Sequence, residues 1–579
     1  MHPSDVEREI HDLVNEWEAG RSDFVIRRKC AHKLERFRNL WRTQAELFDA
    51  RSVAALKGVA QAIDLERVKP EDVLRATFGF PEFRPGQREI VGAILEGRDC
   101  IGIMPTGAGK SLTYQIPARV LPGTTLVISP LIALMKDQVD AVEEVGIRAT
   151  FLNSSIEPAE RHARIERLRK GELELVYAAP EGLEASVGSV LEGVPLSLIA
   201  VDEAHCISQW GHDFRPAYRN LRNLRERLGR GRTIPILALT ATATREVMSD
   251  IASELDMRDP AMFRGSFFRR NLRLTGVKKG EANQSGKTRK TRDAILQLIA
   301  ARPRESGIVY CLSRKSVEQT AEYLKSHGVR ALAYHAGLES DVRSRVQDTW
   351  KRDDADVIVA TVAFGMGIDK SNIRYVIHRD MPRSIEGYYQ EIGRAGRDGL
   401  PSDCVLFYSW ADVMSYDRFS NDGPAEVAER HRRRVREMMD FAEGRGCRHR
   451  ALVRYFGESI ENCGDACDVC RGQNVVDSLP AFKKKSVRAS GMAQNELRPS
   501  ELLPDDVEGA RFLALKQLRR RLADERSLPA YVVFSDAVLT EMARQRPQTE
   551  EALMRISGVG PKKLERYGET FLALLRDFS

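Results

Sequence analysis

The stretch CIGIMPTGAGKSLTYQIPAR (Cys100–Arg119) decides the fold. A short apolar run, Cys100–Met104, passes into a glycine-rich turn and then into the helical pattern Leu112–Arg119. That is the order in which a buried strand feeds a phosphate-binding loop. Gly107 and Gly109 let the backbone curl so that several N–H groups face one phosphate chain. Lys110 is placed to neutralise the β- and γ-phosphates and Ser111 to hold Mg²⁺, with the N-terminus of the next helix adding its positive dipole end. Met104 stands where the longer form of this pattern has its first glycine, so the loop needs support from elsewhere in the chain.

Outward from that loop, β-rich runs alternate with helical patterns. Cys100–Met104, Thr125–Ser129, Leu175–Ala178, Leu198–Val201 and Ile236–Thr240 make one series. Gly307–Cys311, Ala331–Tyr334, Val357–Thr361, Tyr375–His378 and Cys404–Tyr408 make a second. Nearly all-apolar runs are expected of parallel strands covered on both faces, so two α/β domains in tandem are predicted. The polar, basic stretch Lys278–Arg292 reads as a linker or exposed loop between them. Before them, Val6, Ile10, Leu13, Val14 and Trp17 recur at helical spacing up to a stop at Gly20. A second helical pattern runs through Leu34, Phe37, Leu40, Trp41, Leu47 and Phe48.

DEAH (Asp202–His205) directly follows the run LSLIAV and supplies the acidic half of a nucleotide site. Asp202 is expected to bind the metal and Glu203 to polarise the attacking water. In the second α/β domain, QEIGRAGRDG (Gln390–Gly399) reads as a helix and the turn beyond it. Arg394 and Arg397 are three apart and so are expected to share a helical face, ready to stabilise transition-state charge on the γ-phosphate when the domains close. Together these residues predict ATP hydrolysis.

These motifs resemble those of superfamily 2 helicases, and the segments between them narrow the resemblance to the RecQ family. FGFPEFRPGQREI (Phe78–Ile90) resembles the family's entry motif, which implies adenine recognition by Gln87 and Arg84. Thr106 and Gln390 join the nucleotide-contacting set on the same ground. SPLIALMKDQV (Ser129–Val139) and LTATAT (Leu239–Thr244) resemble DNA-contacting and coupling motifs, implicating Ser129 and Gln138. YHAGL (Tyr334–Leu338) and VIVATVAFGMGIDKSNIRYVIH (Val357–His378) resemble their counterparts in the second domain. CISQWGHDFRPAY (Cys206–Tyr218) resembles the aromatic loop that reports bound single strand to the ATP site. There Trp210 and Phe214 would stack on bases and Arg215 would relay toward the phosphates. Ala108 replaces a glycine common in the family, with little effect expected.

Cys447, Cys463, Cys467 and Cys470 offer four thiolates for one tetrahedral zinc, the last pair at CxxC spacing. CRHRALVRYFGE (Cys447–Glu458) and CGDACDVC (Cys463–Cys470) resemble the RecQ zinc-binding module. Three residues separate Cys463 from Cys467 where two are more common, and a turn at Gly464 is expected to absorb the extra one. His449 is the nearest competing ligand. Four thiolates leave no open position for water, so the zinc is read as structural. Between Cys470 and Asp506 lie only about 35 mostly polar residues, too few for the winged helix that follows this module in many relatives. The tail resembles the helical HRDC domain, whose turn ISGVGPKKL (Ile556–Leu564) brings Lys562 and Lys563 toward a phosphate. Tyr531, Phe534 and Leu539 read there as core or groove lining.

The resemblance implies two tandem RecA-like parallel-sheet domains in an α/β chain, with a zinc-binding helical module, an N-terminal helical extension and a C-terminal helical bundle. The expected boundaries are an N-terminal extension (1–65), an ATP-binding lobe (66–268) and a second lobe (269–412). A zinc module (413–475), a basic flexible linker (476–506) with Lys483, Lys484, Lys485 and Arg488, and an HRDC-like domain (507–579) follow. ATP, Mg²⁺ and structural Zn²⁺ are the implied cofactors, and 3′→5′ translocation on DNA is the implied activity. Single-stranded and forked DNA, with DNA-repair or single-strand-binding proteins, are the implied partners. A net charge of +7 over 579 residues permits such a partner without arguing strongly for one. No secretory signal or membrane span is read, and the scattered cysteines fit a reducing compartment, so a cytoplasmic location is expected, at the nucleoid in a prokaryote. Three rival readings are a translocase or strand-annealing remodeller that unwinds weakly, a non-catalytic DNA-binding scaffold, and an RNA helicase.

Overall fold

The computed structural model describes the chain apart from residues 1, 21–23, 66–67, 131, 154–155, 186, 209–213, 230–233, 282–289, 363, 365–369, 420–424, 477–478, 480–505, 527 and 579. It divides into two compact units with the main boundary at Gly265–Ser266.

In the first unit, helices Pro3–Gly20, Phe24–Thr43 and Ala50–Leu65 close around Val6, Ile10, Leu13, Trp17, Leu34 and Phe37. The first helix ends at Gly20 as its sequence predicts. The second stops at Thr43, short of the apolar pattern that runs on to Phe48. Leu47 falls in a 3₁₀ turn, and Phe48 folds back edge-on to Trp41 and Phe37, with ring centroids 5.4 and 6.3 Å apart. Aromatic burial satisfies the same residues without helical continuation.

A seven-stranded sheet follows: β1 (Cys100–Ile103), β2 (Thr124–Ile128), β3 (Ala149–Leu152), β4 (Leu175–Ala178), β5 (Leu196–Val201), β6 (Ile236–Thr240) and β7 (Ala261–Arg264). Its order is β3-β4-β2-β5-β6-β1-β7, and every pairing is parallel. β3 and β7 were not legible as strands, and both are edges. β7 alternates half-buried and exposed positions, unlike the fully buried interior strands. Because β6 separates β1 from β5, the segments that leave all three strands emerge side by side at one carboxyl edge, where α/β sheets bind their ligands.

In the second unit, β8 (Leu272–Lys278), β9 (Ser306–Tyr310), β10 (Ala331–Tyr334), β11 (Val357–Ala360), β12 (Ile373–His378) and β13 (Ser402–Tyr408) form a parallel sheet ordered β10-β11-β9-β12-β13-β8. The expected linker Lys278–Arg292 does not lie between the two α/β domains: the strand before it, β8, already belongs to the second sheet, paired with β13, and the boundary between the units falls earlier, at Gly265–Ser266. Lys278 closes β8, the helix Thr291–Ala300 takes up Thr291 and Arg292, and residues 282–289 lie outside the described residues.

The edge strand β8 is covered by the cysteine module. Leu274 N–H donates to the Ala466 carbonyl (3.0 Å), and Gly276 N–H donates to the Asp468 carboxylate (2.9 Å). Arg448 grips the same carboxylate (2.6 Å), and Phe267 stacks on Phe456 with centroids 4.5 Å apart. The module thereby removes an open sheet edge.

The tail is a bundle of helices Asp506–Glu525, Ala530–Val533, Asp536–Gln545, Glu550–Met554 and Pro561–Asp577. Phe534 and Leu539 are core, as expected. Tyr531 is not, and its ring lies 6.0 Å from the Lys370 ammonium. Arg519, fully buried, donates to the Phe534 carbonyl (2.7 Å) and pairs with Asp536 (2.8 Å). The basic run Lys483–Arg488 lies outside the described residues.

Candidate functional site

At the carboxyl edge of the first sheet, β1 delivers the glycine-rich loop and β5 delivers Asp202 and Glu203. Gly107 (φ 84°) and Gly109 (φ 80°) take the left-handed backbone that the loop requires. The Lys110 ammonium stands 3.6 Å from a Glu203 carboxylate oxygen, so the cation and the acid expected from sequence share one site. Ser111 precedes the helix Leu112–Val120 directly. The acidic pair is aimed by its backbone. Asp202 N–H donates to the Ile128 carbonyl of β2 (2.8 Å), and Glu203 N–H donates to the Asp202 side chain (3.0 Å). Glu203 sits at φ 48°, a strained position for a residue with a side chain, of the kind that clusters at functional sites.

Gln87 is buried, and its carboxamide donates to the carbonyls of Ala108 (3.1 Å) and Gly109 (3.0 Å) while its oxygen accepts from Arg84 N–H (2.9 Å). The residue expected to read adenine therefore also braces the loop that receives phosphate.

From this centre the contacts run in two directions. His205 Nδ1 lies 3.3 Å from Glu203 and 2.9 Å from the Thr240 hydroxyl at the end of β6. Thr240 donates in turn to the Thr242 carbonyl (2.9 Å), which joins DEAH to LTATAT side chain by side chain. The second direction is the aromatic loop. Tyr218, fully buried, donates its hydroxyl to the Asp202 carbonyl (2.9 Å), and burial pushes that phenol well above its ordinary range. Arg215 donates to the Pro130 carbonyl (3.0 Å), in the segment that starts with the expected DNA contact Ser129. Phe214 is half-buried beneath the Arg219 guanidinium, 5.0 Å from its ring centre. Trp210 lies outside the described residues. Ser129 is buried and Gln138 half-buried on the helix Ile132–Glu143. The contacts of Tyr218 and Thr240 are not foreseeable from sequence, although each residue sits inside one of the motifs above.

In the second unit, the helix Ile385–Ile392 carries Gln390, which is half-buried. That helix ends before Arg394, so Arg394 and Arg397 do not share a helical face. They occupy the turns beyond, closed by Ala395 N–H to the Ile392 carbonyl (3.0 Å) and Gly396 N–H to the Ile373 carbonyl (2.9 Å). Gly393 is the C-cap of the helix, and Gly396, at φ 56°, takes left-handed backbone in the turns beyond. Arg394 is largely buried beside Tyr310; burial raises the Tyr310 phenol and Arg394 pulls it back.

The four cysteine sulfurs of Cys447, Cys463, Cys467 and Cys470 lie within 4.8 Å of one another. Zinc held by four thiolates at about 2.3 Å needs such a cluster, so these residues fit the ion. Cys447 and Cys467 each head a short helix, their sulfurs accepting from the N–H of Arg450 and Cys470 (both 3.4 Å). Gly464 adopts φ 69° and absorbs the extra residue before Cys467. His449 is not a ligand. Its Nε2 lies 2.9 Å from the Leu272 carbonyl, and its ring packs edge-on to Phe268. In the tail, Lys562 is exposed and Lys563 half-buried, with burial pushing the Lys563 ammonium down to about 8.

A lysine-bearing phosphate loop and an Asp–Glu pair on one parallel sheet, followed by a second such sheet with paired arginines, define a two-lobed helicase-type ATPase. Comparison with known families agrees segment by segment. Residues 84–251 match the DEAD/DEAH box helicase family, 290–399 the helicase conserved C-terminal domain, 410–471 the RecQ zinc-binding family and 508–575 the HRDC domain. The chain is 36% identical to the ATP-dependent DNA helicase RecQ of Haemophilus influenzae, over 89% of this chain and 96% of the relative. It is 37% identical to the protein of the same name from Bacillus subtilis, over 88% and 99%. The chain belongs to the RecQ family of ATP-dependent DNA helicases.

Proposed function

We propose that this chain couples ATP hydrolysis in its first lobe to 3′→5′ movement along single-stranded DNA and opens forked duplexes as it moves. The observation that carries the reading is the Lys110–Glu203 approach, with Asp202 alongside, at the edge where β1 and β5 deliver their loops.

Lys110 and the N–H groups of Thr106, Gly107 and Gly109 hold the triphosphate, while Gln87, Arg84 and Gln390 contact the nucleotide. Glu203 orients the attacking water and accepts its proton. Mg²⁺, held by Ser111 and Asp202, supplies Lewis-acid charge to the phosphates when bound. Arg394 and Arg397 are the cations for charge that develops on the γ-phosphate.

Single-stranded DNA reaches this chemistry through the aromatic loop. Trp210 and Phe214 stack on bases, while Ser129 and Gln138 contact the strand. Movement of the loop passes through Arg215 and Tyr218 to the segments after β2 and β5. The HRDC-like tail, with Lys562 and Lys563, serves as an accessory DNA or protein contact. DNA-repair and single-strand-binding proteins are the proposed partners, in the cytoplasm or at the nucleoid. Among the described residues, no helix is long and apolar enough to cross a membrane.

The test uses the full chain with ATP and Mg²⁺. Phosphate release should rise on adding single-stranded oligonucleotide, and a forked duplex with a 3′ tail should open faster than one with a 5′ tail. DNA-stimulated hydrolysis with no strand opening would favour the translocase or annealing reading, and no hydrolysis would leave only the scaffold.

A further inference from the structure

The turns that carry Arg394 and Arg397 begin at Gly393, the C-cap of the helix Ile385–Ile392. The last carbonyls of a helix have no partner within it, and they bear the negative end of its dipole. A cation from elsewhere in the chain can meet both needs, and Arg269 does so. Its Nη1 donates to the Gly393 carbonyl (2.9 Å), and its Nη2 donates to the carbonyls of Ala395 (3.0 Å) and Gly396 (2.6 Å). Asn271, two residues further on, donates its carboxamide to the carbonyls of Gly396 (2.9 Å) and Leu400 (3.1 Å). The Asn271 carbonyl accepts in turn from Ser402 N–H (2.9 Å), where β13 starts. The fit leaves no slack, since a Cβ on Gly396 would run into the Asn271 amide nitrogen and stand 2.8 Å from the Leu400 carbonyl. Gly393 precedes Arg394, Ala395 and Gly396 separate the two arginines, and Leu400 follows Arg397. Two side chains of one short segment therefore pin the backbone before, between and after both arginines.

That segment is itself anchored from two sides. Glu458 of the cysteine module accepts from the Ser266 hydroxyl (2.5 Å) and from Phe267 N–H (2.6 Å). The Phe267 carbonyl accepts from the buried Tyr389 hydroxyl (3.1 Å), which stands on the helix Ile385–Ile392 beside Gln390. Module, segment and helix are joined by hydrogen bonds around the turns they enclose.

We propose that Arg269 and Asn271 are positioning residues for ATP hydrolysis, fixing the turns that aim the Arg394 and Arg397 guanidinium groups. This rests on the reading of those two arginines as the cations for charge developing on the γ-phosphate. A guanidinium suits the task because its planar fork presents five N–H donors at fixed angles and accepts nothing. A misplacement of about 1 Å in a reacting group can cost about 10²-fold in rate, so loosening these turns is felt in turnover and not in nucleotide affinity.

The test measures steady-state phosphate release by the full chain with ATP, Mg²⁺ and single-stranded oligonucleotide. Arg269→Met keeps an unbranched stem and removes all the donors. It should lower kcat by about 10²-fold while KM for ATP changes by less than about threefold. Added to R394A/R397A, the same change should slow the reaction no further, because no guanidinium is left to aim. Three results would each overturn the positioning role while leaving the arginine reading intact: a wild-type kcat in R269M, a raised KM at unchanged kcat, or the same fold-loss in both backgrounds. Wild-type turnover in R394A/R397A removes the arginine reading and this assignment with it. Thermal midpoint and zinc content establish folding. Should R269M misfold, Asn271→Ala gives up only the Gly396 and Leu400 bonds and should lower kcat severalfold at unchanged KM. A wild-type kcat in that variant overturns the proposal.

Discussion

The hydroxyl of Tyr218 donates to the main-chain carbonyl of Asp202 across 2.9 Å in a fully buried setting. One end of that bond closes the aromatic loop, and the other is the residue assigned to the metal. Any shift of the loop that moves Tyr218 must move the carbonyl of Asp202 or break the bond. Burial leaves no water to replace it.

Tyr218→Phe keeps the ring and removes only this donor. Stability should fall by about 1–3 kcal/mol, the cost of leaving the Asp202 carbonyl without its partner. Hydrolysis without DNA should persist, whereas stimulation by single-stranded DNA should weaken. Steady-state phosphate release with and without oligonucleotide reads both, and full stimulation in the variant would show that the bond only holds the fold.

Lys110→Ala should abolish hydrolysis yet leave much of the DNA binding, because the lysine is assigned to the phosphates and not to the strand. Glu203→Gln keeps the size of the side chain and should cut turnover by about 10²–10⁴, the range typical of losing a general base. Near-normal turnover in either variant, measured beside anisotropy with labelled single strand, would remove the site assignment.

Cys467→Ser removes a ligand that also heads the helix Asp468–Arg471, beside the Ala466 carbonyl that covers the edge strand β8. Loss of bound zinc and of folding should appear together, in metal analysis and in thermal unfolding. Full zinc content in that variant would contradict the four-thiolate assignment.

Asp353 pairs with Lys370, whose side chain is fully buried and also lies 5.3 Å from the Trp350 ring. Burial would raise the Asp353 carboxyl, but Lys370 outweighs it and holds the group well below the usual range. A depressed folded-state pKa gives stability that is present above the unfolded value of about 3.9 and lost as pH falls below it. Asp353→Asn should therefore lose that acid-dependent stability. It should also be weaker at pH 7 by about 3–5 kcal/mol, as expected when one partner of a buried pair is removed. The lysine left behind, whose pKa burial already lowers, should make the variant's stability climb as pH rises toward about 10.4. Urea unfolding at several pH values measures both slopes, and parallel curves for the two proteins would refute the pairing.

Most of the chemistry was legible because it is written over short distances. The phosphate loop, DEAH and the cysteines each declare themselves within a few residues, since a turn, a strand end or a metal clip fixes neighbours in the chain. Interior strands were legible for a related reason: burial on both faces demands unbroken apolar runs such as LVYA at Leu175–Ala178. Folding had to decide what depends on a partner far along the chain. Edge strands β7 and β8 carry exposed positions (Met262 and Arg264, Arg273 and Lys278) that break the apolar run by which an interior strand is read. Gly396 N–H bonds to the Ile373 carbonyl of β12 and not back into the helix, and His449 turns away from the cysteines toward a carbonyl of β8. Tyr218 finds Asp202 and His205 finds Thr240 only once the parallel sheet has set β5 beside β6.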